Sequence, residues 1–184
     1  METQNANQET VDNWLQGARK KDPQALSNLC AHYYPQILRF MHYRVGPNLA
    51  EDLTGEVIVK IMRSINGQKG RFEPWLYRLA RNVIIDNVRY RSVRPETELD
   101  EDMSNKLTNG KTPDIAVGRH LDVQTALEQV SDEHREFLTL KFIQGLTNHE
   151  ISEITGQNMN AIRAMQFRAL RAMRDVLAPE GVTT

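Results

Sequence analysis

Apolar residues recur at spacings of three and four along most of this chain, and no stretch alternates with period two long enough to make a strand. Thr10–Lys21 reads as a short first helix. Asp22-Pro23 offers an N-cap residue followed by a proline at the first helical position, where its missing N–H is not needed. The helix that starts there carries Leu26, Leu29, Cys30, Tyr33, Ile37, Phe40 and Met41 on one face and runs to about Tyr43. Gly46-Pro47 breaks it. A third helix from near Asn48 turns Leu53, Val57, Ile58, Ile61 and Met62 inward. Asn66-Gly67 and Gly70 mark a flexible loop. A fourth helix, about Glu73–Arg91, has the inner stripe Leu76, Leu79, Ala80, Val83, Ile84 and Val88.

The pattern then lapses. Ser92–Pro113 holds Pro95, Gly110, Pro113 and the acidic run Glu96, Glu98, Asp100, Glu101 and Asp102, without an apolar period, and reads as a flexible acidic linker. Helical spacing resumes over Asp114–Val130. Ser131 caps the next helix, Asp132–Gln144, which Gly145 ends. Thr147-Asn-His-Glu150 fits a capping box, in which Thr147 caps the helix and Glu150 reaches back. That helix is short and stops at Gly156. Asn158 caps the last one, about Met159–Leu177. The expected fold is all-α: two small helical bundles, residues 10–92 and 114–178, joined by a linker over 93–113.

Composition narrows the class. The chain has 184 residues, 40% apolar and 26% charged, which suits a soluble globular protein of one or two domains. No apolar run is long enough to span a bilayer, and the polar start has no basic-then-apolar leader. The expectation is a cytoplasmic protein without membrane insertion. The one cysteine, Cys30, lies in an apolar stripe and reads as a small core residue. Net charge is −1, yet its distribution is uneven. Lys60–Arg94 holds nine Lys/Arg against two acids, and Asn158–Arg174 holds four arginines and no acid. Clustered positive charge attracts phosphate even on a near-neutral protein.

The second basic stretch falls within a short helix, a glycine turn (Thr155-Gly156-Gln157) and a longer helix, the helix-turn-helix pattern. Ile151 and Ile154 bury the short helix. Ile162, Met165, Ala169 and Met173 make the inner stripe of the long one. Arg163, Gln166, Phe167, Arg168, Arg171 and Arg174 are left on or beside its outer face. The N-terminal part of such a helix meets base edges, where arginine pairs with guanine through two hydrogen bonds. Later arginines suit phosphates. The first basic stretch repeats the logic: Arg78, Arg81 and Arg89 sit off the apolar stripe, with Phe72, Trp75, Tyr77 and Tyr90 interleaved. Aromatic faces beside cations suit unstacked bases, although Trp75, at the start of the stripe, reads first as core. The polar loop Asn66–Arg71 has the composition to wrap an extruded base.

Two long motifs carry a family resemblance. Ala50-Glu-Asp-Leu-Thr-Gly-Glu-Val-Ile-Val-Lys-Ile, followed by Trp75-Leu-Tyr-Arg-Leu-Ala-Arg-Asn-Val-Ile-Ile-Asp-Asn-Val-Arg, resembles the second conserved region of bacterial RNA polymerase sigma factors, of the extracytoplasmic-function (ECF) group. Ala126–Thr147 resembles the start of their fourth region, which the helix-turn-helix completes. The resemblance implies a sigma factor that takes core RNA polymerase to specific promoters. It implies that Glu51, Asp52, Leu53, Thr54, Glu56 and Val57 dock on core polymerase, its beta and beta-prime subunits. It implies that Asn66, Lys69, Arg71, Phe72, Tyr77, Arg78, Arg81 and Asn82 read and melt the −10 element, and that Arg163, Ala164, Phe167, Arg168 and Arg171 read the −35 element. The linker would run through the polymerase toward its active site. An anti-sigma factor is an expected partner.

The chain departs from the family at two positions. Gly55 stands where glutamine is usual, and glycine inside a helix costs ~1 kcal/mol against alanine. Met165 stands where a basic residue is frequent, which lowers the expected number of phosphate contacts. No catalytic set appears. The five histidines, His32, His42, His120, His134 and His149, show no metal-ligand spacing. No enzyme activity, metal or cofactor is therefore expected. Two other classes stay open. A sigma-like decoy would sequester an anti-sigma factor and should have lost the basic faces. A plain dimeric helix-turn-helix regulator would not need the Ala50–Ile61 motif.

Overall fold

The computed structural model describes residues 8–93 and 116–178, and every regular element among them is helical. Four helices form a first unit: α1 (Gln8–Arg19), α2 (Pro23–Val45), α3 (Pro47–Ser64) and α4 (Phe72–Val93). Four more form a second: α5 (Ala116–Gln129), α6 (Asp132–Leu138), α7 (Asn148–Thr155) and α8 (Met159–Leu177). The predicted linker 93–113, apart from Val93, lies outside the described residues, as do Asp114 and Ile115. No described helix is long and apolar enough to cross a membrane.

Local signals set the boundaries. The Asp22 carboxylate accepts from the Gln24 and Ala25 amides, and Pro23 opens α2. Gly46, at φ 81°, lets the chain turn directly from α2 into Pro47 of α3. α1 lies unusually close to α2, since a Cβ on Gly17 would stand 2.5 Å from that of Ala25. Leu29, Ile37, Phe40, Met41, Val57, Ile61, Leu76, Ala80 and Val83 close the first core. In the second unit Leu127, Phe137, Leu140, Ile151, Ile154, Ile162, Met165 and Ala169 do the same.

Several expectations need correction. Met62 and Val88, assigned to inner stripes, are 56% and 59% exposed. Both lie near a helix end, where the period continues past the neighbouring helices that would cover it. The helix expected over Asp132–Gln144 changes winding: α6 stops at Leu138 and Thr139–Ile143 is a π-helical turn. Ser92, expected in the linker, belongs to α4. Cys30 is half-buried, and burial pushes its thiol pKa up, away from the reactive thiolate.

Candidate nucleic-acid interface

The helix-turn-helix is fixed by short-range hydrogen bonds. Thr147 Oγ1 accepts from the Glu150 amide, and the Glu150 carboxylate accepts from the Thr147 amide at 2.7 Å, so the predicted capping box is present. Gly156 ends α7 in the left-handed region (φ 74°), which any side chain would strain. Ser152 Oγ donates to the Gln157 carbonyl, and Asn158 caps α8 by accepting from the Ala161 amide at 2.9 Å. α8 then buries Ile162, Met165 and Ala169. Its outer side carries Arg163, Ala164, Phe167, Arg168 and Arg171, all exposed, with Phe167 71% exposed. Phe167 thus offers a bare aromatic ring between arginines. Met165 keeps its expected place on the inner stripe, while Gln166 differs from expectation. Met165 is 3% exposed, so a basic residue there would point into the core and not at phosphate. Gln166 is half-buried and accepts from Asn148 Nδ2 at 2.8 Å, which ties α8 to α7.

The basic face of α4 has a different fate. Arg81 Nε donates to Glu136 of α6 at 2.8 Å, Arg78 donates to the Glu153 carbonyl of α7, and Arg71 pairs with Glu150. Nearby, Arg44 of α2 grips Asp132 with both terminal nitrogens, at 2.8 and 3.2 Å. Tyr77 Oη donates to Gln144 Oε1 at 2.8 Å. In this arrangement the second unit's acids and carbonyls occupy three arginines expected at DNA. The buried apolar residues of both units form one continuous cluster, and the polar pairs around it are incompletely matched: Arg44 Nε and Gln144 Nε2 are buried without a hydrogen-bond partner.

The electrostatics follow from these pairs. Hydrogen bonding to Arg44, with the charges of Arg44, Arg135 and Arg81, holds the Asp132 pKa below the usual carboxylate range against some burial. Burial works against ionised Glu150, but bonds from Thr147 and the nearby Arg71 outweigh it and its pKa is lowered. Tyr33 and Tyr77 are pushed above the ordinary phenol value, chiefly by burial.

Two residues expected on the −10 face are core. Phe72 is 4% exposed and packs on Tyr33, with ring centroids 4.9 Å apart; Tyr77 is 2% exposed and meets Phe40 edge-on. Their aromatic rings read as interleaved with arginine only along the chain; in space they point inward. Asn66, Lys69 and Asn82 are exposed, and Trp75 is half-buried against the core. The loop carrying Asn66 and Lys69 is tied by internal hydrogen bonds. Ile65–Gly67 is a 3₁₀ turn, and Gln68 folds beneath it. A cavity of about 480 Å³ lies beside it, lined among others by Arg19, Tyr33, Gly70, Arg71, Glu73 and Glu150.

The strip expected at core polymerase divides the same way. Leu53, Thr54 and Val57 are buried, and the Thr54 hydroxyl donates back to the Ala50 carbonyl at 2.6 Å. Glu51, Asp52 and Glu56 are exposed. Sequence reasoning missed Val59 and Met62, which continue that outer face at 43% and 56% exposure. Their spacing from Glu56, three and six residues, was the available signal. Gly55 lies on this face with open space at its Cβ position, so no packing requires glycine there. Among the described residues no group of three or more His, Cys, Asp or Glu side chains could hold a metal ion.

Comparison with known proteins gives the family. Sigma-70 region 2 matches residues 29–94 and sigma-70 region 4 matches residues 120–173, together about two thirds of the chain. The ECF RNA polymerase sigma factor BldN of Streptomyces coelicolor is 30% identical over 170 residues, 89% of this chain and 64% of its own. The ECF RNA polymerase sigma factor SigE of Mycolicibacterium smegmatis is 33% identical over 150 residues, 77% of this chain and 58% of its own. The chain thus spans less than two thirds of the length of either relative. The fold is shared with CnrH, solved with the cytosolic domain of CnrY, at a TM-score of 0.70 and 16% identity over 94% of this chain and 99% of that one. The chain belongs to the ECF group of RNA polymerase sigma factors.

Proposed function

We propose that this protein directs core RNA polymerase to specific promoters and is itself no enzyme. Residues 10–92 form the unit that binds core polymerase and the −10 element, residues 114–178 the unit that binds the −35 element, and 93–113 the linker between them. The observation that carries this reading is the outer face of α8: four arginines and Phe167 stand exposed on a helix that a capped turn holds rigidly to α7. Arg163, Ala164, Phe167 and Arg168 lie in its first turns, where base edges are met. Arg171 suits a phosphate. Arg71, Arg78, Arg81, Asn66, Lys69 and Asn82 serve the −10 element. Phe72 and Tyr77 support that face from beneath.

Core polymerase takes the outer strip of α3, Glu51, Asp52 and Glu56, extended by Val59 and Met62; Leu53, Thr54 and Val57 hold the strip in place from inside. Because Arg71, Arg78 and Arg81 are engaged by the second unit, use of both DNA faces requires the units to part. Polymerase binding supplies that separation. An anti-sigma factor is a further partner, as NepR is for the sigma factor RpoE of Bartonella quintana. The work is done in the cytoplasm, where the polymerase is.

The test is transcription from a fragment library of the source genome by purified protein with core polymerase. Starts that depend on the protein and share two upstream elements at constant spacing are expected. An absence of such starts rejects the proposal.

A further inference from the structure

Gln68 is the one buried side chain in an otherwise exposed loop, 5% exposed while Asn66, Gly67, Lys69, Gly70 and Arg71 all face solvent. Its Nε2 stands within hydrogen-bond reach of three carbonyls in succession, Lys69 at 2.9 Å, Gly70 at 3.2 Å and Arg71 at 3.3 Å, which share its two hydrogens. Its Oε1 accepts from both Nε and Nη2 of Arg19, the last residue of α1. Arg19 Nη2 also reaches the Gly70 carbonyl at 3.2 Å. One amide and one guanidinium therefore gather the loop's carbonyls to its inside. Gly70, at φ 76°, supplies the reversal this needs. The carbonyls of 69–71 turn inward, and the side chains of Lys69 and Arg71 are exposed.

We propose that Arg19 and Gln68 are positioning residues for −10 recognition: they set the shape in which loop 66–71 presents Asn66, Lys69 and Arg71 to the unpaired strand. The inference rests on the reading of that loop as part of the −10 surface. It also extends the functional unit beyond the family match, which begins at residue 29, to a side chain on α1. α1 can hold this position because Gly17 lets it pack against α2 at a distance no larger residue allows. The arrangement calls for glutamine and arginine in particular. A glutamate at 68 keeps the Arg19 partner but donates to no carbonyl. A lysine at 19 keeps the charge but lacks the fork that grips Gln68 with two nitrogens.

The test uses holoenzyme assembled from the full chain and core polymerase. Two probes are offered, each followed by sequencing of the bound fraction: a single-stranded oligonucleotide with a randomised window, and a duplex that carries only the upstream element, its window randomised. Wild type is expected to select bases on both. Gln68→Glu and Arg19→Ala should lower base discrimination on the single strand by about tenfold at one or two positions, the scale of a small misplacement of contacting groups. Duplex selection and affinity for core polymerase should stay unchanged, which a general folding defect would not allow. Arg19→Lys should fall between Arg19→Ala and wild type. Variants that keep wild-type discrimination on the single strand overturn the proposal, and so does an equal loss on both probes. If wild type itself shows no preference on the single strand, the −10 reading of the loop fails first, an outcome distinct from failure of the staple alone.

Discussion

α4 and α8 look alike in sequence and differ in space. Each is a long amphipathic helix with arginines off the apolar stripe. On α8 the arginines at 163, 168 and 171 project into solvent; Arg174 makes only a loose contact with its neighbour Asp175, at 3.7 Å. On α4, Arg78 and Arg81 are held by Glu153 and Glu136, residues 75 and 55 positions further along the chain. A run of arginine therefore states that a face is cationic, not that it is free. Whether it meets phosphate or carboxylate depends on what the rest of the chain brings to it. The two faces also differ in readiness: the arginines of α8 stand open to solvent, while Arg78 and Arg81 of α4 already have partners within the chain.

The difference can be tested from four sides. The largest effect falls on the buried side of α8. Met165→Lys places an unpaired charge in the core, and urea unfolding should show a loss of about 3 kcal/mol with no gain in DNA affinity; a stable variant with tighter DNA binding would put Met165 on the DNA face after all. Next, Arg163→Ala and Arg168→Ala should each reduce transcription from promoters with a −35 element by about tenfold, one bidentate contact each. If both are silent in a run-off assay, the open face of α8 is not the reader.

A smaller effect is expected from unmasking α4. The pair Asp132→Asn with Glu136→Gln should raise binding of a labelled single-stranded oligonucleotide by the free protein about threefold. Glu128→Gln with Glu133→Gln removes the same charge from exposed positions of the second unit and should leave anisotropy titrations unchanged. Equal gains from both pairs would reduce the contact to a general field effect. The smallest response is to pH. Asp132 and Glu150 have lowered pKa values, so their contribution to the closed contact is complete above the usual carboxylate range and is lost as pH falls through the folded values. Energy transfer between dyes on the two units should stay constant from pH 8 to about 5 and fall only below about pH 4. Opening between pH 7 and 5 would mean that some other group controls the contact.

The same contrast separates what was legible in the chain from what was not. Asp22-Pro23, the Thr147–Glu150 box, Gly156 and Asn158 act on backbone within four residues of themselves, so the cap and the turn they specify could be read directly. The outer face of α8 followed, because a rigid helix fixes every side chain's direction once its inner stripe is known. The face proposed for the −10 element was only half legible. Arg78, Asn66 and Lys69 lie exposed and Arg81 half-buried, as a surface position requires, but Phe72 and Tyr77 were placed on the surface because they alternate with arginine along the chain. Spacing shows which residues share a face, not whether another helix covers that face.

By itself the sequence determined the all-α class, the capped helix starts, the turn before α8 and the arginine positions, all consequences of local hydrogen bonding and the 3.6-residue period. Tertiary structure alone decided that Tyr77 is core, that Gln68 and Arg19 shape a loop from 49 residues apart, and that acids of one unit hold arginines of the other. The physical reason is range. A cap or an apolar stripe acts within a few residues, whereas a charge or a buried amide chooses its partner only after the chain has folded and the dielectric around it has changed.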